Sequence, residues 1–212
     1  MACAICNKRK AKRFCPAKAE AICSVCCGTE REVTIDCPSD CPYLVASRQH
    51  DSERREIDRS KLPFPDFKIP ASFPRSNGPL LMALNYAICA YARQRPQVVD
   101  ADVIGAFQAL AETYRTLTSG IYYEKPPDYL LQRELYEALK GTLEDFRKRE
   151  TEQVGVSSTR DSEIRDALMF FSQLGATRTN GRPKGRAFLD LLRSQLPPEE
   201  LTRPQSNIVL LP

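Results

Sequence analysis

The sequence predicts two unlike parts, a small N-terminal module of short β hairpins and loops and a larger all-α domain. Two observations carry this. Eight of the nine cysteines fall within the first 41 residues, a stretch short of large apolar side chains. From residue 80 to residue 196, by contrast, apolar residues recur at helical spacing and cysteine is all but absent. A composition of 42% hydrophobic and 27% charged residues places the chain outside the disordered class.

The N-terminal module spans 1–41. Such a piece cannot bury enough apolar surface to fold unaided and needs a staple. The run from Pro42 to Leu62 then reads as a connector helix, with Pro42 suited to a first helical position and Ser39 or Asp40 as cap candidates. After Ala46 it is polar nearly all round, and Asp51–Arg55 and Arg54–Asp58 stand at i,i+4 spacing, the pattern of a solvated strut. Residues 63–79 hold five prolines interleaved with three phenylalanines, which is extended-linker chemistry. The phenylalanines point to a linker lying along a surface.

Five helices are expected in 80–196, over 79–94, 100–119, 127–153, 160–176 and 184–196. Their apolar stripes are Leu81, Leu84, Ile88 and Tyr91; Ile104, Phe107, Ala111 and Tyr114; Leu131, Leu135, Leu139, Leu143 and Phe146; and Ile164, Leu168, Phe171 and Leu174. Stripes of this kind serve packing, so one helical core is expected. Cys89 lies on such a face and reads as a buried small hydrophobe. The tail, 197–212, ends in a short apolar run able to dock as an edge strand or to act as a linear motif.

The cysteines follow the order Cys3-x2-Cys6, Cys15, Cys23-x2-Cys26-Cys27, Cys37-x3-Cys41. Structural zinc takes four Cys or His ligands in a tetrahedron, and eight thiolates make two such sites with none left over. Two zinc ions per chain are therefore expected, on Cys3, Cys6, Cys15, Cys23, Cys26, Cys27, Cys37 and Cys41. The N-terminus lacks the basic-then-apolar order of a secretory signal, and no apolar run is long enough to span a membrane. The expected location is the cytoplasm, where thiols stay reduced and metal binding is favoured over disulfides. An iron–sulfur cluster would use the same thiolates and is the competing cargo. His50, the single histidine, would need a cysteine to stand down, so it is read as exposed.

In this order and spacing the first 41 residues resemble the interleaved two-zinc fingers of the HIT and MYND type. Cys3 and Cys6 match the first pair, Cys15 the start of the second, Cys23 and Cys27 a C-x3-C pair, and Cys37 and Cys41 the last pair. The second pair lacks its second cysteine, where Lys18 stands, and Cys26 is the substitute. The resemblance implies a crossed arrangement, with Cys3, Cys6, Cys23 and Cys27 on one ion and Cys15, Cys26, Cys37 and Cys41 on the other. Exchange of Cys26 and Cys27 gives two full sites equally well. The resemblance also implies a protein-binding surface, since such fingers mainly bind proteins, often as short peptides. The chain further resembles bacterial proteins of no assigned activity that carry such a finger ahead of a helical domain.

The formal charge of +4 and the run Lys8, Arg9, Lys10, Lys12, Arg13 raise a nucleic-acid reading. Eight thiolates and two zinc(II) ions bring that net charge to zero, so the basic run has a local task in offsetting thiolate charge. A second basic stretch, TRTNGRPKGR, holds Arg178, Arg182, Lys184 and Arg186 with no acid. Its core is similar to an AT-hook, with Asn180 where an arginine is usual; as a plain inter-helix turn, Asn180-Gly181 reverses the chain.

Catalysis has little to work with. Eight sulfurs close both sites, no histidine lies in the helical domain, and no Gly-rich phosphate loop is present. The expected function is a non-enzymatic adaptor with a protein partner and no membrane contact. Nucleic-acid binding through the two basic stretches is the alternative, and an enzyme with a site hidden in the helical domain is a second. Oligomeric state is not addressed by the sequence.

Overall fold

A computed structural model describes residues 1–197. The chain is mostly helical, with a small two-stranded sheet near the N-terminus. Strands β1 (Arg13–Cys15) and β2 (Glu20–Ile22) pair antiparallel with Phe14 opposite Ala21. They are followed by α1 (Ser24–Glu30) and α2 (Pro42–Arg54). The remaining helices are α3 (Phe73–Ser76), α4 (Gly78–Gln94), α5 (Asp100–Thr118), α6 (Leu130–Val154), α7 (Asp161–Arg178) and α8 (Ala187–Ser194). Most of the tail expected at 197–212 lies outside the described residues.

The core belongs to α4–α8. Helix α5 packs most extensively on α7, then on α6, and α4 lies against α6. Every residue of the four apolar stripes is either buried in this core or packed on its margin. Phe107 stacks on Phe171 with centroids 4.8 Å apart, and Phe73 meets Phe170 at 5.9 Å. Two buried polar contacts lie in this core: Thr113 and Tyr136 share a 3.0 Å hydroxyl contact, and Asn85 donates to the Leu192 carbonyl at 3.1 Å.

Helix termini follow local chemistry. The Asp102 carboxylate accepts from the Val99 N–H at 3.1 Å, and Glu163 from the Arg160 N–H at 2.8 Å, each answering an orphan donor at a helix start. Gly155 stops α6 in the left-handed region, φ 84°, where a Cβ would be strained. Asp100 works across elements: its carboxylate accepts from the N–H groups of Phe188 and Leu189 and so caps α8.

Two segments differ from the sequence expectation. The connector helix expected over 42–62 ends at Arg54, and a short 3-10 turn forms at Arg59–Lys61. The expected i,i+4 pairs give way to other contacts. Arg55 donates to the carbonyls of Thr179 and Ala176, where the C-terminal end of α7 attracts a cation. Asp58 caps the 3-10 turn and pairs with Lys61. The Pro/Phe stretch expected as linker over 63–79 already contains α3 and the first two residues of α4. It is also strapped to the core. Phe64, Phe67 and Ile69 pack on the core's margin, and the Gln173 amide donates to the carbonyls of Pro63, Phe64 and Phe67.

Candidate metal centre

The first turn of the module folds Cys6 back towards Cys3. Asn7 donates its N–H to the Cys3 carbonyl at 2.8 Å and takes a left-handed φ of 52°, which asparagine tolerates. The Cys3 N–H bonds to the Arg9 carbonyl at 2.9 Å, closing the loop. Further on, β2 delivers Cys23 as the N-cap of α1. Its Sγ accepts from the Cys26 N–H at 3.4 Å, while its own N–H donates to Cys3 Sγ at 3.1 Å.

These two turns converge. The sulfur atoms of Cys3, Cys6, Cys23 and Cys26 all lie within 4.8 Å of one another, and Cys3, Cys23 and Cys26 are buried. A tetrahedral zinc site of four thiolates, with bonds of about 2.3 Å, has sulfur–sulfur edges of roughly 3.8 Å. The group therefore fits a metal ion and could hold one. The electrostatics agree. Burial pushes the Cys3 thiol up, but backbone N–H groups of Cys6, Cys23 and Ile5 outweigh it and bring it down to about 6. The Lys8 and Arg9 N–H groups pull Cys6 below the usual thiol range. Burial, with Cys23, Cys6 and Cys3 alongside, pushes Cys26 up to about 12. Cys3 and Cys6 thus favour the thiolate while Cys26, crowded by the neighbouring sulfurs, resists it, a conflict that a bound cation relieves.

Cys27 leaves this group. Successive residues on an α-helix point about 100° apart, so the neighbours Cys26 and Cys27 face different directions. Of the two allocations open in the sequence, the structure brings Cys26, not Cys27, to Cys3, Cys6 and Cys23. The reason is the cap: with Cys23 at the helix start, the residue three positions on returns to it.

The other four cysteines, Cys15, Cys27, Cys37 and Cys41, line one small cavity of about 10 Å³ with Ile22, Ile35 and Tyr43 among its walls, but no three of them reach the close spacing of the first group. Cys27 accepts from Arg13 Nη1 at 3.4 Å and from Arg31 Nη2 at 3.7 Å. Burial raises the Cys27 thiol, and these two guanidinium groups bring it below its ordinary value. Arg13 also stacks over the Tyr43 ring, 4.7 Å from its centroid. Burial, with Cys41 and Cys15 nearby, pushes Cys37 up. No pair of described cysteines is disulfide-bonded.

Apolar support for this region is thin. Its buried cluster contains five cysteines and only two other side chains, Ile22 and Ile35. Arg13 and Arg9 lie beside the thiols: Arg13 donates to Cys27, and the nearness of Cys6 and Cys23 raises the pKa of the Arg9 guanidinium. Lys8, Lys10 and Lys12 point to solvent. His50 is exposed beside Asp51, and Cys89 sits in the helical core.

Several residues around the centre escaped sequence reasoning. Arg31, the residue that ends α1, stands four positions after Cys27, a spacing that signals contact. Glu32 carries no such signal. It is 1% exposed, yet it pairs with Arg48 at 2.7 Å and accepts from Asn180 at 2.6 Å. Arg48 continues to Asp190 at 2.6 Å, joining the module, α2 and α8. The stretch read as a plain inter-helix turn, or else an AT-hook core, joins α7 to α8 with Gly181 at φ 70°, and it is also packed on the module: Arg182 donates to the carbonyls of Gly28 and Arg31, and Arg186 pairs with Asp36. Among the described residues no helix is long and apolar enough to cross a membrane. Compared with protein-family models, with curated proteins and with solved structures, the chain shows no match.

Proposed function

We propose that residues 1–41 form a zinc-stabilised interleaved module of the HIT/MYND kind, and that the protein is a non-enzymatic adaptor presenting this module beside its helical domain. The observation that carries the reading is the convergence of Cys3, Cys6, Cys23 and Cys26 within 4.8 Å. The remaining four cysteines share a cavity of their own, which supports a second ion on Cys15, Cys27, Cys37 and Cys41. Taken in chain order, the first and third cysteine groups then serve one ion, and the second and fourth the other. Cys27, adjacent to Cys26, joins the second set. This crossing is what the family resemblance implies, with Cys26 and Cys27 in the exchanged allocation.

An all-thiolate donor set favours zinc over harder cations. Four sulfurs per ion leave no open coordination position for a substrate, so a structural role follows. The metal supplies folding free energy that two buried isoleucines cannot. Elemental analysis of the purified protein tests the reading. Two zinc ions per chain are expected; one ion per chain, or iron with visible absorbance, overturns it.

The nucleic-acid alternative has lost much of its footprint. Arg182, Lys184 and Arg186 are engaged with the module, and Arg9 and Arg13 face sulfur, which leaves Lys8, Lys10 and Lys12 facing solvent. No affinity for DNA or RNA is expected from the metal-loaded protein, even at low salt. Binding that falls steeply with rising salt would favour the alternative.

A further inference from the structure

A cleft of about 380 Å³ opens between the cysteine module and the α7–α8 loop. Clefts that bind ligands run from about 300 to 1,000 Å³, so this one has room for a few residues of a peptide. The first turn of the module contributes Ile5, and the tip of the β1–β2 hairpin contributes Ala17 and Lys18. The segment after α1 contributes Glu30 and residues 34–36, and the helical domain contributes Lys184.

Backbone hydrogen bonds hold these pieces in place. The N–H groups of Val33, Thr34 and Ile35 all donate to the Glu30 carbonyl, at 3.1, 3.2 and 3.0 Å. The Lys18 N–H donates to the Cys15 carbonyl at 3.2 Å and sets the hairpin tip. The Lys184 N–H donates to the Glu32 carbonyl at 2.8 Å, and Arg182 and Arg186 fasten the loop on either side of it. The cleft is thus preformed, and a side chain of the helical domain completes it.

The charges along this lining do not cancel. Asp36 is paired with Arg186. Glu30 Oε2 accepts from the Thr34 hydroxyl at 2.6 Å, and Lys184 Nζ donates to the Thr34 carbonyl at 2.7 Å, so neither has an oppositely charged partner. The Lys18 ammonium has no partner among the described residues. Two ammonium groups therefore stand against one unneutralised carboxylate, beside the apolar surface of Ile5, Ala17 and Ile35. The excess positive charge suits one carboxylate, and the apolar side suits an aliphatic side chain. Glu30 Oε1 accepts from no described residue, which leaves it for a peptide N–H. A nucleic-acid strand would bring repeated negative charge against Glu30 and Asp36, and a fatty acid would offer Glu30 no donor.

We infer that this cleft docks a short acidic peptide segment of a protein partner, one in which an aliphatic residue adjoins an Asp or Glu. Lys18 and Lys184 bind the carboxylate, and Ile5, Ala17 and Ile35 receive the aliphatic side chain. The inference rests on the adaptor reading and names the chemistry of the partner. It does not draw on the metal count, because no cysteine lines the cleft.

NMR titration of the full chain as purified tests this, with metal content measured on the same sample. The probes are two capped peptides, acetyl-Ser-Leu-Asp-Ser-amide and acetyl-Ser-Asp-Leu-Ser-amide. At least one is expected to shift the amides of Lys18, Ile35 and Lys184 saturably. Asn in place of Asp in that peptide should weaken binding about threefold, the size of an exposed ion pair, and Lys18→Gln at the exposed hairpin tip should do the same. Ser in place of Leu should weaken it about tenfold through lost apolar burial. If neither peptide shifts these amides at millimolar concentration, or the Asn peptide binds as tightly as its Asp parent, the inference is overturned. Inorganic phosphate that binds the same lysines as tightly as the peptide would make the cleft a plain anion site and also overturn it. Charge-dependent peptide binding by protein with fewer than two zinc ions would uphold the inference while the two-zinc reading fails. Two zinc ions with no peptide binding would do the reverse.

Discussion

Cys26 and Cys27 show how one short helix sends two adjacent side chains into different surroundings. The helix separates their directions, so one sulfur joins Cys3, Cys6 and Cys23 and the other faces Arg13, Arg31 and the second cavity. Cys26→Ser and Cys27→Ser should each lower the metal content by one ion per chain, measured by native mass spectrometry. A variant that keeps both ions would show that cysteine to be spare. Cys89 gives the opposite expectation. Burial pushes its thiol up to about 11, so little thiolate exists near pH 8. Iodoacetamide should leave Cys89 unmodified in the folded protein and label it only after denaturation. Labelling of the native state would contradict its placement in the core.

Two helical glycines of similar appearance in the sequence differ sharply in their surroundings. A Cβ at Gly175 would lie 2.6 Å from Ile104 Cγ1 and 2.9 Å from the Phe188 ring, inside the packed contact of α7 with α5 and α8. Gly175→Ala should cost about 1–3 kcal/mol in denaturant unfolding, since neither neighbour can move away freely. At Gly105 the nearest atoms belong to the end of the flexible Gln132 side chain. Gly105→Ala should be neutral or stabilise by up to about 1 kcal/mol through helix propensity. Equal costs at the two sites would refute this account of the packing. Helix α8 depends on a different device. Asp100 answers its first N–H groups from α5, and Asp100→Ala should cost about 1–3 kcal/mol by leaving them unpaired in a buried site. A loss below about 0.5 kcal/mol would mean that water replaces the cap.

At the scale of the whole molecule, the two parts rest on different physics. The helical part has a continuous apolar core, and the N-terminal part has eight cysteines and two buried isoleucines. Removing metal should therefore unfold the module and leave the helical domain cooperative. Far-UV circular dichroism should retain most of its helical signal after chelation, with a lower melting temperature because contacts to 28–36 are gone. Collapse of the whole helical signal would show that the core needs the module to fold.

The helical core was legible in the sequence because packing stripes are periodic: each apolar residue carries its neighbours' spacing, and the helices begin and end within a few residues of their local signals. Cys3, Cys6, Cys23 and Cys26 as a group able to hold a metal were legible too, since thiols clustered in a stretch without a core have few other uses. Adjacent cysteines on one short helix could not be allocated from spacing, because both allocations satisfy the count, and only the cap at Cys23 separates them. The Glu32–Arg48–Asp190 bridge and the seating of Arg182 on α1 join residues more than a hundred positions apart. Charge alone marks such residues as solvated or as ligands for phosphate. Their real partners are backbone carbonyls and a buried carboxylate, groups that acquire a position only when the chain has folded. The sequence by itself determined the two materials of this protein, thiolate and apolar helix, and the tertiary structure decided how one is fastened to the other.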